Sequence, residues 1–220
     1  DHLVEIGTGW GGLAIFAATH YGCRVTTTTI SEEQYAYASR QVVDLGLEER
    51  ITLLKKDYRD LTGQFDKLIS VEMIEAVGAK YLPDFFKKCS QLLKPNGRMV
   101  LQSITIADQR LASYNRNVDF IQRYVFPGGY LPSVELIAHM MSDHTDMNVR
   151  QLSDIGLHYA DTLNDWRQAF NQRKYELASF GYDDTFVRFW NYYLCYCEGA
   201  FRERSVSTIQ LMATKPLCKS

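Results

Sequence analysis

The sequence predicts an α/β fold: a mostly parallel seven-stranded sheet with a helical insertion. Three observations predict it. Short apolar or β-branched runs alternate with helical patterns through residues 2–106, as in a parallel sheet with right-handed crossovers. A glycine-rich turn at residues 7–12 joins the first strand to the first helix. From residue 107 to about 147 the alternation gives way to helices, and strand patterns return near 148 and 206. With 220 residues and 46% hydrophobic side chains, the chain can bury one large core.

The elements follow in order. His2-Leu3-Val4-Glu5-Ile6 reads as a buried strand, and Leu13 to Tyr21 as a helix that Gly22 closes. Arg24 to Ile30 is β-branched and reads as strand two. Ser31-Glu32-Glu33-Gln34 is a capping box, opening a helix that runs to Leu45 and stops at Gly46. Ile51 to Asp57 and Phe65 to Met73 read as strands three and four. Lys80 to Leu93 reads as a helix, Lys94-Pro95-Asn96-Gly97 as a turn, and Arg98 to Ile106 as strand five. The helical stretch that follows is interrupted at Phe126-Pro127-Gly128-Gly129-Tyr130-Leu131-Pro132. From Ser133, Val134, Ile137, Ala138 and Met141 fall at helical spacing. A sixth strand is expected at Asn148 to Ile155, helices at Asp161 to Ser179 and Asp184 to Arg202, and a last strand at Val206 to Lys215. No repeat or low-complexity linker divides residues 1–220, which predicts one domain. The chain opens at Asp1 directly into a core strand, which predicts a fragment of a longer protein.

Composition excludes several classes. A net charge of -2 with both signs scattered gives no footprint for nucleic acid and no polybasic membrane patch. The five cysteines match no zinc or disulfide spacing and read as reduced thiols of a cytoplasmic protein. His139 and His144 form no ligand set, so no metal is expected. No apolar run reaches about 18 residues, the length of a spanning helix. Fourteen Tyr and eleven Phe point toward an apolar ligand pocket.

Glu5-Ile6-Gly7-Thr8-Gly9-Trp10-Gly11-Gly12 has the spacing G-x-G-x-G-G, not the dinucleotide G-x-G-x-x-G. Its glycines allow a sharp strand-to-helix turn and close approach of a ligand. It resembles the motif of class I methyltransferases, whose loop wraps the amino-acid end of S-adenosylmethionine; the fold implied is Rossmann-like. On that resemblance Glu5, Gly7, Thr8 and Gly9 form the cofactor cradle. At the end of strand two no acid is available for the ribose. Thr29, Ile30, Ser31 and Gln34 supply backbone and polar groups for its hydroxyls, or Ser31 and Gln34 serve only to cap the helix. After strand three, Asp57 is placed to accept from the adenine amino group and Tyr58 to cover its ring, the alternative being a solvated loop.

Five strings, in order and over the whole chain, sharpen the resemblance. They are Ile6 to Leu13, Thr29 to Gln34, Asp57 to Asp60, Ser70 to Gly78 and Phe126 to Ser133. Together they resemble the cyclopropane-fatty-acyl-phospholipid synthase family, which includes the mycolic acid cyclopropane synthases. The resemblance implies attack of a cis acyl double bond on the sulfonium methyl of S-adenosylmethionine. A carbocation forms, a bound bicarbonate removes a proton, and a cyclopropane closes. It implies a phospholipid acyl chain as partner, with peripheral contact to the inner face of a membrane, and leaves a homodimer open.

By the same resemblance Glu75 meets the bicarbonate, Tyr159 donates to it, and the Ile104 backbone contributes. Glu72 is a nearby rival at a position where relatives often have Gly. Two departures stand out. Where many relatives have Leu-His-Thr-Ile, this chain has Leu101-Gln102-Ser103-Ile104. Gln102 can still hold the anion if bicarbonate is the base, but it takes no proton, so proton removal is impaired if the His is a shuttle. The family's anion-binding cysteine lies before the glycine strand and has no counterpart here. Three other functions stay open: acyl methylation without ring closure, small-molecule N-methylation, and a non-catalytic S-adenosylmethionine-binding module.

Overall fold

The computed structural model describes residues 1–219. Its strands are β1 (His2–Ile6), β2 (Arg24–Thr29), β3 (Ile51–Lys55), β4 (Phe65–Val71), β5 (Leu93–Ile106), β6 (Asn148–Asp154) and β7 (Val206–Thr214). They form one sheet in the order β3-β2-β1-β4-β5-β7-β6. The first five run parallel, while β7 lies antiparallel between β5 and β6. The expected mostly parallel seven-stranded sheet is therefore present. Strand order reverses between β1 and β4, and open α/β sheets bind ligands at the carboxyl ends beside such a reversal.

The helices are α1 (Gly12–Tyr21), α2 (Glu32–Asp44), α3 (Leu82–Leu92), α4 (Asp108–Tyr114), α5 (Val134–His144), α6 (Gly156–Arg173) and α7 (Asp184–Arg202). The main core joins Val4, Ile6, Leu68, Met99 and Leu101 of the sheet to Phe85 and Phe86 of α3 and to Ile137 and Met141 of α5. Each such side chain contributes about 1.5–3 kcal/mol on full burial. Ala14, Ala18, Val25, Val42 and Ile51 form a smaller cluster on the other face. Ala160 and Leu163 of α6 pack with Leu194 and Phe201 of α7 in a third.

Several boundaries differ from the sequence reading. Strand four ends at Val71, not Met73, because Glu72 turns the chain at φ 51. Strand three ends at Lys55, and Asp57 caps a short turn at Tyr58–Asp60. The turn expected at residues 94–97 is a bulge within β5: Phe65 pairs with Leu93 and Lys67 with Arg98. Helix α6 starts at Gly156 rather than Asp161, where Asp154 Oδ1 accepts the Gly156 N–H at 2.9 Å. It ends at Arg173, and a 3-10 run at Lys174–Phe180 takes over. The capping box is half formed. Ser31 Oγ accepts the Gln34 N–H at 3.2 Å, but the Gln34 side chain turns to Thr29.

Candidate active site

The glycine turn leaves β1 at the strand-order reversal. Gly7 and Thr8 donate their N–H groups to the Thr28 carbonyl at 3.2 and 3.0 Å, tying the turn to β2. Gly7 adopts φ 99, and a Cβ there would stand 3.2 Å from Met73 Cγ. Gly9 adopts φ 54 with no atom within 4 Å of a Cβ position, so the turn opens onto free space.

Glu5 underlies this turn and is 3% exposed. Its Oε2 accepts the Thr27 hydroxyl at 2.5 Å, and Thr27 Oγ1 lies 2.7 Å from Thr8 Oγ1. Thr27 has one hydroxyl proton, directed at Glu5, so Thr8 donates to Thr27. This relay links the turn to β1 and β2. Burial pushes the Glu5 carboxyl up to about 7, with the Thr27 hydrogen bond opposing the shift.

At the end of β2 the candidate ribose groups contact one another. Thr29 Oγ1 donates to Gln34 Oε1 at 2.8 Å and accepts the Ser31 N–H at 3.1 Å. Ile30 is 77% exposed beside them. Both oxygens of Asp57 are engaged by Arg59, at 2.9 Å for Oδ1 and 2.7 Å for Oδ2, and the Arg59 contact holds its carboxyl below the usual range. Oδ1 also accepts the Arg59 backbone N–H at 2.9 Å, so Oδ2 is the oxygen that keeps a lone pair for a second donor. Tyr58 is half-buried, edge-on to Phe85 with ring centroids 5.6 Å apart.

A second constellation stands at the ends of β4 and β5. Glu75 Oε1 accepts the Ile104 N–H at 2.6 Å and the Ser103 hydroxyl at 3.1 Å. Glu75 Oε2 is buried with no hydrogen-bond partner. Burial pushes this carboxyl up to about 7, and the Glu72 charge adds to the rise. The Glu75 carbonyl accepts the Tyr130 N–H at 2.8 Å, so the segment from Phe126 to Pro132 braces the turn that carries Glu75.

The other expected anion ligands meet a different partner. Gln102 Nε2 donates to Glu72 Oε1 at 2.9 Å, and the Tyr159 hydroxyl donates to Glu72 Oε2 at 2.8 Å. Both donors thus meet Glu72, and the Ile104 N–H donates to Glu75. Gln102 Oε1 accepts in turn from Gln210 Nε2 at 2.9 Å. Burial and the Glu72 charge push the Tyr159 hydroxyl well above the usual phenol range. Its ring stacks on Phe201 with centroids 4.9 Å apart.

Three contributors escaped the sequence reading. Gln210 sits opposite Gln102 in the antiparallel β5–β7 pair, a register that no local pattern encodes. Ser103 lies between Gln102 and Ile104, and nothing in the local sequence assigns it a role. Gly156 lets α6 start against β7, since a Cβ there would stand 2.2 Å from Ser207 Oγ. Among the described residues no helix is long and apolar enough to cross a membrane, and no cluster of His, Cys, Asp and Glu could hold a metal.

A family model described as mycolic acid cyclopropane synthetase matches residues 1–211. Tuberculostearic acid methyltransferase UfaA1 of Mycobacterium tuberculosis is 40% identical over 210 residues, 96% of this chain and 49% of that protein. The cyclopropane-fatty-acyl-phospholipid synthase of Escherichia coli K12 is 37% identical over 214 residues, 97% of this chain and 53% of that protein. The chain thus spans about half the length of these relatives. Among solved structures, mycolic acid cyclopropane synthase CmaA1 complexed with SAH and CTAB shares the fold, with a TM-score of 0.89 and 24% identity over 97% of this chain and 78% of that one.

Proposed function

The chain belongs to the mycolic acid cyclopropane synthetase family of S-adenosylmethionine-dependent methyltransferases, and we propose that it methylates the cis double bond of an unsaturated phospholipid acyl chain and closes a cyclopropane. One observation carries this reading beyond family membership: Glu75 holds a buried, unpartnered carboxylate oxygen at the ends of β4 and β5. A double bond that attacks an electrophilic methyl develops positive charge. A carboxylate fixed by Ile104 and Ser103 offsets that charge without reorganising.

S-adenosylmethionine, when bound, supplies the electrophilic methyl. The open space at Gly9 fits its amino-acid end, and Glu5, Gly7 and Thr8 hold the turn in shape. Thr29, Ile30, Ser31 and Gln34 would take the ribose, and Asp57 and Tyr58 the adenine. The aromatic rings of Tyr159, Phe201, Trp190 and Tyr193 cluster beside Ile104. They offer an apolar wall for an acyl chain and π faces toward a cation. A membrane-borne substrate fits a cytoplasmic enzyme in peripheral contact with the inner leaflet.

The test is incubation with labelled S-adenosylmethionine and vesicles of unsaturated phospholipid. Label in the lipid, with the NMR signature of a ring methylene, supports the proposal. Label in an amine and none in lipid overturns it. Methylation without ring closure is the second reading. Gln102 in place of His favours it, as does the name of the relative at 40% identity, a tuberculostearic acid methyltransferase. A methyl or methylene branch in the product would select it.

A further inference from the structure

The two side chains expected to hold an external anion already hold a carboxylate. Gln102 Nε2 and the Tyr159 hydroxyl each donate to one oxygen of Glu72, at 2.9 and 2.8 Å. A carboxylate and a bicarbonate present the same planar pair of acceptor oxygens, so donors spaced for one suit the other. We propose that the Glu72 carboxylate occupies the anion position of this site and accepts the proton that the methylated acyl chain gives up. The proposal rests on the acyl-methylation reading above.

Four features of the chain support it. An ionised carboxylate only accepts, so Gln102 must turn its NH2 toward Glu72 and its oxygen away. Gln210 Nε2 meets that oxygen at 2.9 Å, which fixes the amide in this sense. The Glu72 N–H donates to the Gln102 carbonyl at 2.9 Å, so backbone and side chain of the two residues are locked together. Glu72 also sits at φ 51, a left-handed conformation that non-glycine residues rarely adopt. Such a conformation persists where surrounding contacts over-determine it, commonly at functional sites.

The proton balance is simple. A C–H bond of the transferred methyl breaks, and its electron pair forms the closing C–C bond of the ring. The proton moves to a Glu72 oxygen and then to solvent, to which this residue is partly exposed. If the C–H bond of a chain carbon next to the cation breaks instead, the pair forms a C=C bond within the chain and a methyl-branched alkene results. The acceptor is the same in both cases.

Glu72→Gly tests the idea, since glycine accepts φ 51 and leaves Gln102 and Tyr159 facing an anion-sized space. Wild-type turnover should not change when bicarbonate is removed. The variant should lose about 100-fold, within the usual range for a lost general base, and regain turnover with added bicarbonate. Glu72→Gln keeps the shape without the basicity, and its loss should resist rescue. Binding of 13C-bicarbonate by NMR should appear in Glu72→Gly and be absent in wild type. The proposal is overturned by wild-type turnover that falls on bicarbonate removal, by bicarbonate binding to wild type, or by full anion-free activity of Glu72→Gly. If wild type methylates no lipid, the functional reading fails, and the NMR binding result still decides the role of Glu72.

Discussion

Glu75 Oε1 accepts the Ile104 N–H at 2.6 Å, while the other oxygen of the same carboxylate is buried and unpartnered. One oxygen fixes the group and the other has no protein partner. Glu75→Gln keeps an acceptor for Ile104 but removes the charge. Turnover should fall about 100-fold, as when a preorganised electrostatic group is lost, and calorimetry should find cofactor affinity unchanged. Equal losses in both would remove its assigned role. Because burial pushes the wild-type carboxyl up to about 7, wild-type turnover should rise through that pH as Glu75 ionises. The variant profile should lack the step.

Glu5 makes stability depend on pH in the opposite sense from an ordinary salt-bridged acid. Its carboxyl is raised in the fold from 4.5 to about 7, so between those values the folded chain holds a proton that the unfolded chain has released. The contribution is full below about pH 4.5 and is lost as pH rises through about 7. The shift corresponds to about 3 kcal/mol. Urea unfolding of Glu5→Gln should show a flatter profile across this window than wild type. Parallel profiles would mean that Glu5 ionises in the fold as freely as in water.

Gly9→Ala separates the cradle from the fold. The new methyl meets no protein atom within 4 Å, so only the φ of 54 opposes it, a cost of about 1–2 kcal/mol. That strain is common to the free and bound states, so S-adenosylmethionine affinity should drop, by more than about tenfold, because the methyl fills the open space. Unchanged affinity would move the cofactor elsewhere.

Gly156→Ala should disturb Tyr159 from a distance. Its Cβ would lie 2.2 Å from Ser207 Oγ and 3.1 Å from the Ser207 backbone, so α6 must move off β7. Overpacking of this kind costs about 1–3 kcal/mol, read as a lower Tm. Adding Ser207→Gly should recover part of the loss, because the new methyl then meets only the backbone of residue 207. No recovery would show that the clash is not with the Ser207 side chain.

Much of this protein is legible along the chain because its determinants are local. Alternating β-branched runs and helical stretches specify strands and helices. The positive φ angles of Gly7 and Gly9 are what the G-x-G spacing calls for. The Ser31 cap follows from a four-residue pattern. Glu75 stands out in the sequence only through the resemblance of its string.

The hydrogen-bond partners of the site were not legible, for a physical reason. Glu72 and Tyr159 are 87 positions apart, and Gln102 and Gln210 are 108 apart. Each pair depends on sheet register or helix placement, on the antiparallel insertion of β7 beside β5 and on the seating of α6 at Gly156. The sequence by itself determined the sheet, the glycine turn and the acids available to the site. Only the tertiary structure decided which acid the donors grip, because a donor takes the acceptor that packing brings within about 3 Å, and packing brought Glu72.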